Sequence, residues 1–236
     1  MTIPIDPTER DKYFIQNITN GNFEHDWLPI TSTNDKHSAT FYVSASPLRV
    51  NGIIITVSAH TQQIIADILN ASLPTCKAMD LRQLQSDITI DPLPRPISNA
   101  SDVLVDQSMK IDKEIAKQFP GISLDGKLIS NTGKFWVLSN NIKPDKAFNY
   151  GWYIKTPMWE QIKGYATASP TNLYVIQGKA GAHNNLHQDY SQQAVFLGGS
   201  ATVDGNLMTI TDVLTSPELA PLISEEGILN ILRQPV

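Results

Sequence analysis

The apolar residues of this chain change their spacing at Pro120-Gly121, from helical upstream to strand-like downstream, and that change constrains the fold more than any other feature. Upstream, Ile64, Ile65, Ile68 and Leu69 form one stripe in AHTQQIIADILNAS, which Ser58 can cap. Pro74 interrupts that helix. Thr75 is placed to cap a second one, CKAMDLRQLQ, with Ala78, Leu81 and Leu84 on its buried side. DPLPRPISNAS, with prolines at 92, 94 and 96, must be a non-helical connection. Ser101 can cap a third helix, whose Leu104, Ile111, Ile115 and Phe119 recur at helical spacing until Pro120 and Gly121 stop it.

Strand signals flank these helices. ATFYVSASPLRV and GIIITVS come before them, the second with the continuous β-branched residues of a buried strand. KFWVLSN, AFNYGWYI, NLYVIQG and QAVFLGG come after, short, aromatic and β-branched between Gly, Pro and Asn. ATVDGNLMTI reads as a hairpin turning at Asp204-Gly205. Ser216-Pro217-Glu218 is a helix start, and SEEGILNILRQ is predicted as a terminal helix. Helices grouped ahead of an antiparallel sheet favour an α+β fold over a doubly wound one. The layout is a single domain: a polar N-terminal segment over 1–40, strands and helices over 41–119, a sheet over 130–212, and helices over 213–236.

Composition narrows the function. A net charge of −5 and the absence of any two adjacent basic residues argue against a duplex-binding face. No apolar run approaches the roughly 18 residues of a membrane helix. One cysteine, Cys76, leaves no internal disulfide. The start MTIPIDPTERDKYF lacks an apolar signal core, so a cytoplasmic location is expected, with signal-independent export left open. No glycine-rich phosphate cradle follows a strand, and no cofactor is implied.

The chemistry concentrates in AHNNLHQDYSQ, from Ala182 to Gln192, which holds two of the five histidines. His183 and His187 are four apart, the spacing of a zinc pair on a helix, but Gly178, Gly181 and two asparagines argue against a helix there. No glutamate beside the first histidine completes an HExxH pattern. A loop could still present His183, His187 and Asp189 to a metal. As a nucleophilic site, Cys76 stands at the first position of a helix, where free N–H groups and the dipole lower a thiol pKa. A histidine from the sheet could pair with it and Asp189 could orient that histidine. This order and layout resemble papain-like hydrolases. Ser191 is the other candidate nucleophile, without a Gly-x-Ser-x-Gly elbow. The plainer reading makes Cys76 a small buried residue, Asp189 and Ser191 loop caps, and Tyr190 a half-buried ring. Tyr190, with Tyr150 and Trp152 of the aromatic FNYGWY, could line a groove for substrate.

KFWVLSN, NYGWY, YVIQG, HNNLHQDYSQ and ATVDGN together resemble the C-terminal half of a group of uncharacterised bacterial proteins, in which a histidine precedes Asp-Tyr-Ser and a Val-Asp-Gly turn comes after it. ADILNASLPTCKAMDL resembles a helical block of the same group. The resemblance spans residues 50–230, implies no activity, and gives weight to His183, Asp189 and Ser191 over Cys76. The expected function is hydrolysis or acyl transfer on an amide or ester, a small molecule or a peptide such as a cell-wall peptide by analogy with papain-like amidases. In that reading His183 is the base, with His187 the second catalytic histidine, Asp189 is its orienter or a second acid/base group, and Ser191 or Cys76 is the nucleophile. The alternatives are a non-enzymatic module binding a ligand or protein, and a metal-dependent hydrolase.

Overall fold

The polar N-terminal segment folds into helix α1 (Pro7–Thr19) and strand β1 (Trp27–Thr33). Asp6 caps α1 by accepting the Glu9 N–H at 3.0 Å, and Pro7 stands in the first turn, where its missing N–H costs nothing. The helix buries Arg10 and Asp11 beside Phe14 and Ile18, so its inward stripe is half polar. The computed structural model describes residues 2–154 and 167–235.

After β2 (Ser38–Ser44), β3 (Arg49–Val50) and β4 (Ile53–Ile54) come α2 (Ala59–Ile68), β5 (Ala71–Ser72), α3 (Cys76–Leu84) and β6 (Ile88–Thr89). Ser58 and Thr75 cap α2 and α3 as their sequences predict, accepting from Thr61 N at 3.2 Å and Ala78 N at 3.0 Å. The third helix, α4 (Ser101–Gln118), starts one residue earlier than its capping signal. Ala100 holds the cap position and Ser101 falls inside the first turn, because the Ala100 carbonyl already accepts the Leu104 N–H at 3.4 Å. GIIITVS contributes only Ile53–Ile54 to a strand pair. Beyond it Thr56 makes one bridge, to Gln193.

The second half supplies β7 (Ile129–Ser130), β8 (Lys134–Val137), β9 (Lys146–Ile154), β10 (Thr167–Ala168), β11 (Tyr174–Asn184), β12 (Leu197–Val203), β13 (Asn206–Thr209) and a short helix α5 (Ile210–Thr215). An antiparallel sheet runs β10-β11-β9-β8. The other large sheet runs β1-β2-β12-β13, with β5 paired to the start of β12. It therefore joins first-half strands to the hairpin that turns at Asp204-Gly205, and the two halves of the chain are interleaved. The fold is α+β. One continuous core takes Phe41 and Leu197 from this sheet, Trp136 and Tyr150 from the other, and Phe14, Ile65 and Met79 from the helices.

Two expectations yield to tertiary hydrogen bonding. QAVFLGG becomes a strand only at Leu197, because Gln192 to Ala194 lie between two partners: Val57 N donates to Gln192, and Gln193 N donates to Lys134 at 3.0 Å. Gly133 is required there, since a Cβ would sit 2.5 Å from the Ser191 carbonyl oxygen. SEEGILNILRQ does not form a helix. Gly227 takes φ +68°, and the N–H groups of Asn230 and Gln234 donate to Asn140 and Gln63 on other segments. Ser216-Pro217-Glu218 leads only into a 3-10 turn over Ala220–Leu222. No helix among the described residues is long and apolar enough to cross a membrane.

Candidate functional site

His183 lies in strand, not loop: it sits near the end of β11, opposite Ala147 of β9. The chain then turns over Asn184–His187, closed by His187 N donating to the Asn184 carbonyl at 3.0 Å. The Asn184 side chain accepts the Leu186 N–H at 2.9 Å, the local bond that makes asparagine a turn residue. This turn folds the HxxxH spacing back without a helix and stacks His187 on His183, ring centroids 4.5 Å apart and planes 14° from parallel. Parallel rings aim their in-plane nitrogens side by side rather than at a common point. That geometry opposes a shared metal ion, and no group of three His, Cys, Asp or Glu side chains among the described residues could hold one.

Below the histidines, the sheet supplies a floor. Lys134 and Trp136 alternate along β8, and Trp136 stands directly opposite Asn149 of β9, so these three share a face. The Trp136 ring meets His183 edge-on at 5.9 Å. Gly151 and Trp152 break the alternation of β9, with φ +141° and +57°, and turn Trp152 toward the same side. Its ring lies 5.6 Å from the Lys134 ammonium and 6.2 Å from the Tyr190 ring. A left-handed backbone at a tryptophan is strained, and such strain clusters at functional sites.

Asp189 is the electrostatic centre. It is 2 % exposed, with Oδ2 3.6 Å from Lys134 Nζ and 3.7 Å from His187 Nε2, both ion-pair rather than hydrogen-bond separations. Oδ1 accepts from the Ser191 amide at 2.7 Å and from the Ser191 hydroxyl. Burial works to raise this carboxyl, but His187, Lys134 and Ser191 outweigh it and hold it well below the ordinary carboxylate range. His183 is half-buried, and burial, with His187 and Lys134 beside it, keeps its imidazole below the usual histidine value against the pull of Asp189.

Several polar groups of this face have no hydrogen-bond partner among the described residues. Asn149 is fully buried with neither side-chain atom bonded, and the Trp152 indole N–H, His187 Nε2 and Gln192 Nε2 are equally unsatisfied. Gln192 belongs to the cluster because its Oε1 accepts the Asp189 N–H at 2.7 Å. Buried groups of this kind are rare in folded proteins and each calls for an explanation.

Other candidate residues lie elsewhere or are already committed. Cys76 is fully buried, and burial, Glu225 and Asp80 push its thiol well above the ordinary value, opposite to the activation expected at a helix start. The groups that act on it, Glu225, Lys179 and Asp80, are not those that act on His183. Tyr150 faces the core rather than a groove: its hydroxyl and that of Tyr153 donate to the buried Asp80 at 2.6 and 2.9 Å. Tyr190 is 3 % exposed, and its hydroxyl accepts the Arg95 N–H at 2.6 Å, tying down the proline-rich connection. Ser191, 2 % exposed, gives its proton to Asp189 and not to a histidine.

No family model, curated protein or solved structure matches this chain. The residues that sequence reasoning passes over are Lys134, Trp136, Asn149 and Gln192. Period-two alternation in KFWV puts Lys134 and Trp136 on one face, but only the pairing of β8 with β9 adds Asn149 to it.

Proposed function

We propose that the face formed by Lys134, Asn149, Trp152, His183 and His187 binds a small molecule through an acceptor oxygen, either a carboxylate or an amide or ester carbonyl. One observation carries this reading: the buried groups there that lack a hydrogen-bond partner among the described residues are mainly N–H donors, and the Lys134 ammonium lies 5.6 Å from the Trp152 ring. A bound acceptor would satisfy them and recover the cost of leaving them unpaired, about 1–3 kcal/mol for each buried group. This is the binding-module reading, with the ligand class narrowed by donor chemistry.

Hydrolysis of an amide or ester is the second reading, and the state of His183 favours it. An imidazole held neutral is able to accept a proton from water beside a bound carbonyl. The commitments of Cys76 and Ser191 lend no support to a protein nucleophile, so water would be the attacking group in this version.

Calorimetric titration with N-acetylglycine, which carries both acceptor types, tests the binding claim. Saturable binding is expected for the wild type and its loss for Asn149→Leu. Because leucine removes an unsatisfied amide from a buried site, the variant should be at least as stable as the wild type in thermal unfolding. Equal binding by both proteins, or none by the wild type, would overturn the proposal.

A further inference from the structure

The turn that carries His187 has a second side. Leu186 and Gln188 there close one wall of a cleft of about 330 Å³ whose other walls are α1 and α2, a size within the range of small-molecule sites. Its apolar surface comes from Ile15 of α1, Ile64 of α2 and Leu186, which is 62 % exposed. Asp11 also lines it. That carboxylate is 9 % exposed, and its Oδ2 accepts the hydroxyls of Ser58 at 2.8 Å and Thr61 at 2.7 Å, while Oδ1 has no partner among the described residues.

The neighbouring cations do not neutralise Asp11. Arg10, fully buried, gives its N–H groups to the Gln188 side chain, at 2.6 and 3.2 Å, and to the carbonyls of Ile5 and Asn99. Lys12 pairs with Glu9 at 2.8 Å. Among the described residues Asp11 makes no ion pair, although a buried carboxylate ordinarily has one. Burial holds its carboxyl above the ordinary value, against the pull of Thr61, Ser58 and Arg10.

We propose that this cleft binds a small organic cation, a primary ammonium carrying an apolar chain, with the ammonium on Asp11 and the chain along Ile15, Ile64 and Leu186. The ammonium supplies both the missing donor for Oδ1 and the missing charge. The chain covers apolar surface that Leu186 otherwise leaves to solvent. The site stands independently of the donor-rich face, because its ligand has the opposite charge and its key residue is on another element.

Hexylammonium is the probe, with hexanol and hexanoate as controls of equal chain length, followed by amide resonance shifts and calorimetry. Saturable hexylammonium binding is expected, with shifts confined to α1, α2 and residues 184–188. Asp11→Asn keeps an acceptor for Ser58 and Thr61 and should weaken hexylammonium about tenfold or more, since removing one member of a buried charge pair costs a few kcal/mol. It should leave hexanol unchanged. Leu186→Ser, on an exposed side chain that folding does not need, should weaken hexylammonium several-fold if Asp11→Asn does not fold. Hexanol or hexanoate binding as tightly as hexylammonium, or full affinity in either folded variant, would overturn the proposal.

Discussion

Asp189 shows how much of this site a single carboxylate organises. It fixes the Ser191 amide and hydroxyl, faces Lys134, and lies under His187. Asp189→Asn should destabilise the protein at neutral pH by about 1.5–3 kcal/mol, the range for buried hydrogen bonds to a charged group. The pH dependence has a definite sign. The folded pKa is depressed below the unfolded value near 3.9, so the ionised carboxylate contributes its stability above that value and loses it as pH falls through the folded pKa. Denaturant titrations of both proteins should therefore differ by a constant amount from neutral pH down to about pH 4 and converge only as pH falls further toward the folded pKa. A difference independent of pH would mean that packing, not charge, sets the effect.

At the scale of elements, the turn Asn184–His187 joins β11 to the buried segment Gln188–Gln193 and sets the spacing of the two imidazoles. Asn184→Ala removes the side-chain bond to Leu186 N, an exposed contact worth about 0.5–1 kcal/mol. Stability should fall by no more than that, while the ring-current shifts that His183 and His187 exert on each other should shrink. Unchanged shifts would show that the stack is held by Asp189 alone. The sequence makes α2 and α3 legible because their caps, Ser58 and Thr75, are local signals placed beside apolar stripes. It also shows the β12–β13 hairpin, whose turn chemistry is equally local. It hides α1, whose inward stripe includes Arg10 and Asp11, and it suggests a terminal helix where Glu225 and Glu226 are drawn instead to Lys179. Those outcomes depend on partners far along the chain, which no periodicity records.

For the whole molecule, His25, His183 and Asp189 are among the described groups that take up protons on unfolding. His25 is held down to about 4 by burial, His183 is lowered by burial and its cationic neighbours, and Asp189 is lowered by its partners against burial. Each contributes stability that is complete above its unfolded pKa, about 6.5 for the histidines, and is lost as pH falls through its folded pKa. Asp11 and Asp80 act in the opposite sense, since burial raises both. Between pH 6.5 and about 4 the unfolded His25 takes up a proton that the folded imidazole does not, so His25 adds a downward slope to the unfolding temperature as pH falls. His25→Gln should flatten that slope; an unchanged slope would remove His25 as its source.

The candidate site was partly legible for the same reason that the fold was. His183, His187, Asp189 and Ser191 are close in sequence and remain together in space. Cys76 and Tyr150 belong to other neighbourhoods, and Lys134 and Asn149 arrive from other strands through pairing alone. The most direct measurement is a titration of the wild-type protein with N-acetylglycine, observed at the histidine ring and tryptophan indole resonances. The rings of His183 and His187 and the Trp152 indole N–H should shift together along one saturable curve, while His25, His37 and His60 stay fixed. Shifts shared equally by all five histidines, or a Trp152 indole that does not respond, would contradict a binding site on this face.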